Sequence, residues 1–417
     1  MTKKKQTNII VIIGGGPAGM MAAISAALSG SRVTLVEKNG SLGKKLLLTG
    51  GGRCNLTNMR ESREFIDHFS KTGDFLRDAF KLFDNKKLLK FFASKGLITK
   101  TEEKGRVFPV TDKASSVLDL LKNELNQLNV KILYNTNIKK IFADKNGIKR
   151  VICDDEDIIR ADRVILATGG LSYKNTGSTG AGIKMAEKMG HKIVLIRPGL
   201  VSLTLKGNYP KVLQGLSLDK VKILFRAGSS KFISTEDSLL FTGWGISGPV
   251  TFSSSAKVVD WISDAKKVVV EIDIFPNISS KELEKRLEHE LVTGSGKITR
   301  NVLKEIVPIR LADVILDIAE ILPQKKANQI TLKQRRLLVS LLKGMKFDVT
   351  GSASIEKAQV TRGGVSVKDI DPRTMQSKKV KGLYFAGEMI DVDGDCGGFN
   401  LQAAFSTGYL AGRSAGN

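Results

Sequence analysis

The amino-acid sequence predicts an α/β protein whose parallel sheet draws strands from both ends of the chain, with a separate region inserted between them. Two observations carry this prediction. Buried strands that run into glycine-rich turns occur near both termini, at residues 8–19 and 382–402. Between them, residues 200–274 alternate in short apolar and polar runs, and residues 279–343 follow a helical period. The length of 417 residues is that of two or three domains.

The first segment combines five features in a fixed order. Residues 8–13 are mostly apolar and β-branched, which is typical of a strand buried on both faces. They run into Gly14-x-Gly16-x-x-Gly19 and then into an Ala- and Met-rich helix. Residues 31–36 form a second strand that ends at an acidic residue. Strand, glycine turn, helix, strand and acid in this order predict a dinucleotide-binding unit.

The residues of this segment have distinct physical roles in such a unit. Gly14 allows the tight turn, Gly16 lets the backbone approach a pyrophosphate, and Gly19 lets the helix pack closely on the strand. The free N–H groups and the positive dipole end of the helix attract phosphate. Glu37, at the end of the second strand, can accept hydrogen bonds from ribose hydroxyls. Because the fingerprint serves NAD and FAD alike, it leaves that choice open.

Three further segments favour FAD. Residues 49–55 (TGGGRCN) give a backbone that can pass close to a flat ligand, with Arg53 and Asn55 as polar anchors. Residues 163–170 form a buried strand that ends in small residues. Residues 382–402 contain a third strand, an acidic residue and a glycine pair that opens a new helix.

The last of these segments completes the predicted flavin site. Its strand ends at Glu388, whose carboxylate can hold ribitol hydroxyls. Gly397 and Gly398 then open a helix over residues 401–411. The positive end of that helix can stabilise negative charge that develops on the flavin ring during reduction.

Together these motifs resemble the BaiN/YhiN-like family of NAD(P)/FAD-dependent oxidoreductases, a group that also includes aminoacetone oxidase-like flavoproteins. The resemblance implies a discontinuous Rossmann-like FAD-binding domain, a β-rich inserted domain and a small helical domain. Some relatives carry His after the Phe-Thr of the middle motif, where this chain has Gly243 and Trp244, so no role of that histidine is carried over. The matching segments are residues 12–19, 43–58 (GKKLLLTGGGRCNLTN), 176–182 (TGSTGAG), 240–249 (LFTGWGISGP) and 382–408.

The predicted domain bounds are 1–196 with 350–417 for the FAD-binding domain, 197–278 for the β-rich domain and 279–349 for the helical domain. The expected cofactor is FAD, with NAD(P)H as a transient reductant, and no catalytic acid or base stands out. No metal site is expected, because the three cysteines and three histidines lack ligand spacing. The residues expected to bind the cofactor are Gly14, Gly15, Gly16, Pro17, Ala18, Gly19, Glu37, Lys38, Lys45, Thr49, Gly51, Gly52, Arg53, Asn55, Ile138, Thr168, Gly169, Gly387, Glu388, Asn400, Leu401 and Gln402.

The net charge of +24 raises the question of a polyanionic partner. The lysines are spread along the chain without a dense block or interleaved aromatic residues, which favours ordinary solvated faces over a nucleic-acid surface. We therefore expect a small-molecule substrate and no nucleic-acid partner. No apolar run is long enough to span a bilayer, so we expect a cytoplasmic protein without membrane contact.

Two enzyme activities fit these features. One is a reductase that passes hydride between NAD(P)H and a small organic acceptor, such as an enone, through tightly bound FAD. The other is a flavin oxidase of a small, aminoacetone-like amine that produces hydrogen peroxide. A hypothesis from another class is a flavin-containing RNA-binding or RNA-modifying protein, which the charge suggests. No second well-formed glycine fingerprint marks a dedicated NAD(P)H domain, so NAD(P)H would enter the same open face as the substrate.

Overall fold

A computed structural model describes residues 8–417 of the chain, which divide into two compact units. The first unit contains residues 8–199 and 355–417, so both ends of the chain contribute to it. The second unit is Leu200–Ser354. The predicted first domain also includes residues 1–7, which lie outside the described residues. The finer division into three domains stays a prediction.

Twenty strands occur in the described residues. They are β1 (Ile9–Ile13), β2 (Arg32–Val36), β3 (Thr57–Asn58), β4 (Thr99–Thr101), β5 (Arg106–Pro109), β6 (Lys131–Leu133), β7 (Ile138–Asp144), β8 (Gly147–Cys153), β9 (Ile158–Arg160), β10 (Arg163–Leu166), β11 (Ile193–Gly199), β12 (Leu203–Leu205), β13 (Ser217–Ala227), β14 (Ser230–Ile233), β15 (Asp237–Thr242), β16 (Gly245–Ser247), β17 (Val268–Asp273), β18 (Met345–Ser352), β19 (Val360–Val365) and β20 (Leu383–Phe385).

The α-helices of the same residues vary from one turn to five. They are α1 (Pro17–Leu28), α2 (Ser62–Phe65), α3 (Arg77–Leu82), α4 (Asn85–Ser94), α5 (Ala114–Gln127), α6 (Ala181–Lys188), α7 (Tyr209–Val212), α8 (Pro249–Ser263), α9 (Ser280–Thr293), α10 (Thr299–Leu303), α11 (Ile309–Ile318), α12 (Leu332–Gly344) and α13 (Phe399–Gly416). Between residues 8 and 417, no helix is long and apolar enough to cross a membrane.

Five parallel strands form the main sheet of the first unit, in the order β20-β10-β1-β2-β6. The middle strand, β1, has the sequence IIVII and is almost wholly buried, as a parallel sheet with both faces covered requires. β10 and β20 come from much later in the chain and extend the sheet on one side of β1. The predicted α/β class with a parallel sheet is confirmed. Because the strands are parallel, the glycine-rich turns that follow β1, β10 and β20 lie at one edge of the sheet.

Helices α1 and α13 pack against each other in the core of this unit and so join the two ends of the chain. Two glycines on α13 allow an unusually close approach. A Cβ at Gly408 would lie 2.3 Å from the carbonyl oxygen of Ala18, and one at Gly412 would lie 2.2 Å from that of Ala22. Contacts this short are not tolerated between a Cβ and a backbone oxygen, so the packing requires glycine at both positions.

In the second unit, six antiparallel strands close into a barrel in the order β13-β15-β16-β12-β18-β17, because β17 pairs back with β13. β14 pairs with the far end of β13. The predicted β-rich character of the insert is confirmed. Helices α9 to α12 share one hydrophobic core with the barrel, to which Phe225, Leu283 and Leu338 belong. The strand-rich and helical parts of the insert therefore share one core, and the boundary near residue 279 stays a prediction.

The close contact between α1 and α13 gives a stability prediction. Gly408→Ala should lower the free energy of unfolding by about 1–3 kcal/mol, because the added methyl group meets a backbone oxygen that cannot rotate away. Gly344→Ala in α12 is the matched control, since the nearest atom to its added Cβ lies 4.0 Å away. Urea unfolding should show the control to be neutral or stabilised. Equal effects of the two substitutions would contradict the close packing.

His191 is buried in the first unit with both ring nitrogens occupied. Nδ1 lies 2.9 Å from the Ala186 carbonyl oxygen, and Nε2 lies 2.7 Å from the Ser377 hydroxyl. That hydroxyl oxygen already accepts from the backbone N–H groups of Lys379 and Val380, at 3.0 and 2.9 Å. A second ring proton would therefore break an existing hydrogen bond. Burial lowers the pKa of His191, although the bond to Ala186 acts in the opposite direction.

The lowered pKa of His191 predicts a loss of stability in acid. The unfolded chain takes up a proton near the ordinary histidine pKa of about 6.5, whereas the folded protein resists protonation until lower pH. The contribution of neutral His191 to the free energy of unfolding is thus complete above the histidine pKa of the unfolded chain and declines as the pH falls below it. His191→Gln should flatten this pH dependence of the urea midpoint, while His289→Gln, on an exposed site, should retain it. A His191→Gln protein with the wild-type pH profile would refute the assignment.

Candidate functional site

A cleft in the first unit holds about 1430 Å³ of space free of protein atoms, part of it open to solvent. Ile13, Val36 and Ala167 lie in its wall, at or just after the carboxyl ends of β1, β2 and β10. Other parts of the wall come from residues 387–407, near the carboxyl terminus. Ligands of open parallel α/β sheets commonly bind in a crevice at this carboxyl edge of the strands.

The turn between β1 and α1 is built to approach a ligand closely. Gly14 has a φ of +108°, and a Cβ there would lie 2.5 Å from the carbonyl oxygen of Ala167, so only glycine fits. At Gly16 no atom lies within 4 Å of an added Cβ, so the backbone borders open space. Helix α1 begins at Pro17 without a side-chain cap, which leaves its first N–H groups and its positive dipole end for a ligand. This geometry suits a phosphate group.

Glu37 places a carboxylate beside that turn. It accepts hydrogen bonds from the backbone N–H of Gly15 at 2.7 Å and from the backbone and side-chain N–H groups of Asn39 at 2.9 and 2.6 Å. Burial lowers the pKa of the adjacent Lys38, although Glu37 acts in the opposite direction. The Lys38 ammonium donates to the Thr179 hydroxyl at 3.0 Å. The hydrogen bonds from Gly15 and Asn39 therefore fix the Glu37 carboxylate at the end of β2, in a position that suits hydrogen bonds from a ribose.

A second carboxylate in the cleft wall, Glu388, is held from three sides. It accepts hydrogen bonds from the Lys45 ammonium at 2.6 Å, the Ser172 hydroxyl at 2.9 Å and the Thr361 N–H at 2.7 Å. Burial acts to raise the pKa of Glu388, but Lys45 and these hydrogen bonds outweigh it and hold the pKa below its usual range. The Thr361 hydroxyl also accepts from the backbone N–H groups of Leu171 and Ser172, at 2.8 and 3.1 Å. The carboxylate is thus both ionised and immobile.

The amino-terminal turn of α13 forms another part of the wall. Gly397 and Gly398, just before the helix, have φ angles of +138° and +98°, which other residues rarely adopt. No side chain caps the helix. Asn400 and Leu401 in its first turn line the cleft. A second positive helix end is therefore available to a ligand in the same cleft.

The cleft brings together most of the residues that the sequence predicts to bind the cofactor, although they are far apart in the chain. Those in its wall are Gly14, Gly15, Gly16, Pro17, Ala18, Glu37, Lys38, Lys45, Thr49, Ile138, Thr168, Gly169, Gly387, Glu388, Asn400 and Leu401. The residues outside the wall are Gly19, Gly51, Gly52, Arg53, Asn55 and Gln402.

Arg53 and Gln402 have other contacts in the structure. The Arg53 guanidinium pairs with Glu102 and Asp112, carboxylates that the local sequence around Arg53 does not contain. Gln402 is fully buried, accepts from the Thr57 hydroxyl at 2.6 Å and donates to the Ser406 hydroxyl at 2.9 Å. Both side chains hold segments of the first unit together.

The remaining glycines and Asn55 do not line the cleft. A Cβ at Gly19 would lie 1.9 Å from the carbonyl oxygen of Gly14, so this glycine serves helix–strand packing, as its predicted role requires. Gly51 and Gly52 have positive φ angles in an exposed turn. The Asn55 Oδ1 atom is buried and has no hydrogen-bond partner within the described residues.

Sequence reasoning missed Ser172 and Thr361, which position Glu388. Ser172 follows a segment with a recognisable strand-to-glycine pattern, so its place near the cleft could have been inferred. Thr361 lies in β19 with no local signal at all. It reaches Glu388 only because of tertiary packing, in which β19 pairs with β11.

The HI0933-like protein Rossmann domain family matches residues 8–414 of the chain. A 3-dehydro-bile acid delta(4,6)-reductase of Clostridium scindens is 35% identical over 410 residues, which are 98% of this chain and 99% of that protein. Ribosomal RNA dihydrouridine synthases of Haemophilus influenzae and Escherichia coli are 30% and 29% identical, over 97% and 96% of both chains.

Two solved structures share the fold. Quinol fumarate reductase FrdA of E. coli has a TM-score of 0.53 at 17% identity, covering 98% of this chain and 70% of that one. A 3-ketosteroid delta1-dehydrogenase from Sterolibacterium denitrificans has a TM-score of 0.54 at 12% identity, covering 98% and 100% of the two chains. At these identities the likeness is one of fold.

The match over almost the whole chain confirms the resemblance inferred from the sequence motifs. The geometry of the cleft is consistent with this match, because its wall contains a glycine turn, two fixed carboxylates and two helix amino termini. The chain belongs to the HI0933-like family of FAD-dependent flavoprotein oxidoreductases.

Proposed function

We propose that this protein is a reductase that passes hydride from NAD(P)H, through bound FAD, to a carbon–carbon double bond conjugated with a carbonyl group. The observation that carries the proposal is the cleft of the first unit, whose wall combines phosphate-binding, ribose-binding and flavin-binding features from both ends of the chain. The acceptor class comes from the reactions for which the full-length relatives are named.

The residues of the cleft fit FAD. The backbone N–H groups of Gly16 and Ala18 would hold the pyrophosphate, and Glu37 the adenosine ribose. Glu388 would hold the ribitol hydroxyls, while the first turn of α13, at Asn400 and Leu401, would face the flavin ring. The open space at Gly16 and the two uncapped helix ends support this placement. When bound, FAD supplies the hydride chemistry, and the protein supplies orientation and electrostatics.

NAD(P)H is proposed as the reductant that visits this site in turn with the acceptor. The Gly-x-Gly-x-x-Gly segment at Gly14 follows a parallel strand and belongs to the FAD cleft, whereas the same spacing at residues 243–248 lies between antiparallel strands of the barrel and not in a βαβ unit. A separate dinucleotide site is therefore not required by the sequence. The reductant would bind on the open face of the flavin and leave before the acceptor enters, which predicts ping-pong kinetics.

The proposed acceptor class follows from a feature common to the relatives' names. A bile-acid reductase of a delta(4,6) compound acts on carbon–carbon double bonds. Dihydrouridine differs from uridine by saturation of the double bond next to a ring carbonyl, so a dihydrouridine synthase also reduces a conjugated double bond. The reaction class is thus shared, while the size of the substrate is not.

A second candidate function is reduction of uracil rings in RNA. The net charge of +24 and the similarity to two ribosomal RNA dihydrouridine synthases favour it. A basic surface would gather the phosphate backbone, and that attraction would weaken steeply with salt. The higher identity to the bile-acid reductase and the even distribution of lysines favour the first candidate.

Anaerobic stopped-flow spectroscopy tests these alternatives. NADH or NADPH should bleach the flavin, and progesterone, a steroidal enone, should then restore its colour. The rate of this reoxidation should be the same whether or not the oxidised nicotinamide is removed before progesterone is added. An unmodified ribosomal RNA transcript replaces progesterone to test the second candidate. Bleaching by aminoacetone, with hydrogen peroxide released on reoxidation by oxygen, would instead support an amine oxidase and contradict the proposal.

Substitution of Glu388 tests the proposed cofactor site. Glu388→Gln should weaken FAD binding by about 10-fold or more, because a hydrogen bond to a charged group contributes about 1.5–3 kcal/mol. Titration of the apoprotein with FAD, followed by flavin fluorescence, measures the change. Glu187→Gln, at an exposed position on α6, is the matched control and should bind as the wild type does. Unchanged affinity in Glu388→Gln would remove this carboxylate from the site.

A further inference from the structure

The segment of residues 176–182 (TGSTGAG) lies in the wall of the FAD cleft, where its first four residues line the ligand space. It follows β10 in the chain, whereas residues 37–39, which also line the cleft, follow β2. In the parallel sheet, β10 and β2 are the two neighbours of β1. Contacts between these two segments therefore cross the carboxyl end of β1, where the glycine turn begins.

Two hydrogen bonds and one close packing contact join the segments. The Asn39 side-chain amide donates to the Thr176 carbonyl oxygen at 3.1 Å, and the Lys38 ammonium donates to the Thr179 hydroxyl at 3.0 Å. Gly177 lies between these two bonds in the sequence and has a φ of +108°. A Cβ at Gly177 would lie 2.6 Å from the Asn39 Nδ2 atom. The backbone of the 176–182 segment thus rests directly on Asn39.

Asn39 also holds the Glu37 carboxylate. Glu37 Oε1 accepts from the backbone N–H and from the side-chain amide of Asn39, at 2.9 and 2.6 Å. Glu37 Oε2 accepts from the Gly15 N–H at 2.7 Å. An ionised carboxylate has about four acceptor sites, and within residues 8–417 these three N–H groups are its hydrogen-bond donors. One acceptor site, on Oε2, is therefore left for a ligand.

The Asn39 amide is itself fully engaged. Its two protons go to Glu37 and to Thr176, and its Oδ1 atom accepts from the Lys44 ammonium at 3.3 Å. A reversed amide would turn its N–H groups toward the ammonium and its oxygen toward two other acceptors. The orientation of the amide is therefore fixed, and it couples the position of the Glu37 carboxylate to that of the 176–182 segment.

We infer that Asn39 is the positioning residue for the adenosine ribose of FAD. Its amide directs the available acceptor site of Glu37 toward the ribose hydroxyl groups and fastens the 176–182 segment beside them. The inference rests on the proposed placement of FAD in the cleft. The group recognised at this end is a ribose next to a diphosphate, which both FAD and free adenosine diphosphate (ADP) contain.

Loss of the Asn39 amide would release both of its partners. Glu37 would keep only two backbone N–H donors, so its carboxylate could turn away from the ribose. The 176–182 segment would keep only its bond to Lys38. We therefore expect weaker binding of ligands that place ribose hydroxyl groups at Glu37, and a smaller benefit from those hydroxyl groups.

Calorimetric titration of the apoprotein with ADP and with 2′,3′-dideoxy-ADP, which lacks both ribose hydroxyl groups, tests this role. In the wild type, removal of the hydroxyl groups should weaken binding about 10-fold or more, the usual effect of a hydrogen bond to a charged group. Asn39→Ala should bind ADP about 10-fold more weakly than the wild type does, and the hydroxyl groups should then matter by about twofold or less. Asn146→Ala, in the exposed turn between β7 and β8, is the matched control and should keep the wild-type ratio.

Two further variants sharpen the test. Asn39→Asp keeps the size of the side chain and an oxygen for Lys44, but it has no proton for Glu37, so it should show the same small effect of the ribose hydroxyl groups. Asn39→Ala should weaken FAD as well as ADP. Glu388→Gln, at the proposed ribitol position, should weaken FAD and leave ADP unchanged, which separates the two ends of the cleft.

The outcomes that contradict the inference are distinct. A wild-type ratio between ADP and its dideoxy analogue in both Asn39 variants would overturn it, even if both ligands bound more weakly, because a general disturbance of the fold affects the two ligands alike. A wild-type protein whose ADP affinity does not depend on the hydroxyl groups would also overturn it. A wild-type protein that binds no FAD would refute the proposed cofactor site, and the inference with it. The titrations use no acceptor, so failure of reductase activity with progesterone is a separate result.

Discussion

The backbone contact between α1 and α13 is the constraint on which the rest of the first unit depends. Gly408 lies against Ala18 and Gly412 against Ala22, so the two helices run in the same direction. In this register α13 starts eight residues before the level at which α1 begins, which corresponds to about 12 Å along the axis. Two positive helix ends therefore reach the same cleft at different depths. A dinucleotide with a pyrophosphate at one point and a redox ring at another matches this stagger.

The charges in the cleft are arranged for a ligand that is itself negative in one part and polar in another. Near the proposed pyrophosphate position the wall offers backbone N–H groups and a helix dipole, so no long charged side chain has to be desolvated there. The carboxylates Glu37 and Glu388, which we propose to bind hydroxyl groups of FAD, are each held by several hydrogen bonds. Lys45 balances Glu388, so an ionised carboxylate is retained in a largely buried place. The positions of both carboxylates, and the charge of Glu388, are thereby set by the protein itself.

Local sequence patterns were sufficient to locate those features of the cleft that depend on the order of consecutive residues. The glycine turn after β1, the acid at the end of β2 and the glycine pair before α13 could each be located from the sequence, because close backbone approach requires glycine and strand ends expose their next residues. Arg53 and Gln402, by contrast, have partners in the protein that no local pattern indicates. Their partners, Glu102 and Thr57, are far away in the sequence, and a polar side chain beside a glycine motif can bind either a ligand or its own protein.

The sequence by itself determined the α/β class, the dinucleotide cleft and the family, since these follow from periodicity and from motifs of a few adjacent residues. Tertiary structure alone decided that Thr361 and Ser172 immobilise Glu388, that Asn39 meets Thr176, and that α1 and α13 share one direction. Each of these is a contact between segments separated by long stretches of chain. Such contacts depend on how whole elements pack, and no local pattern of residue types encodes that packing.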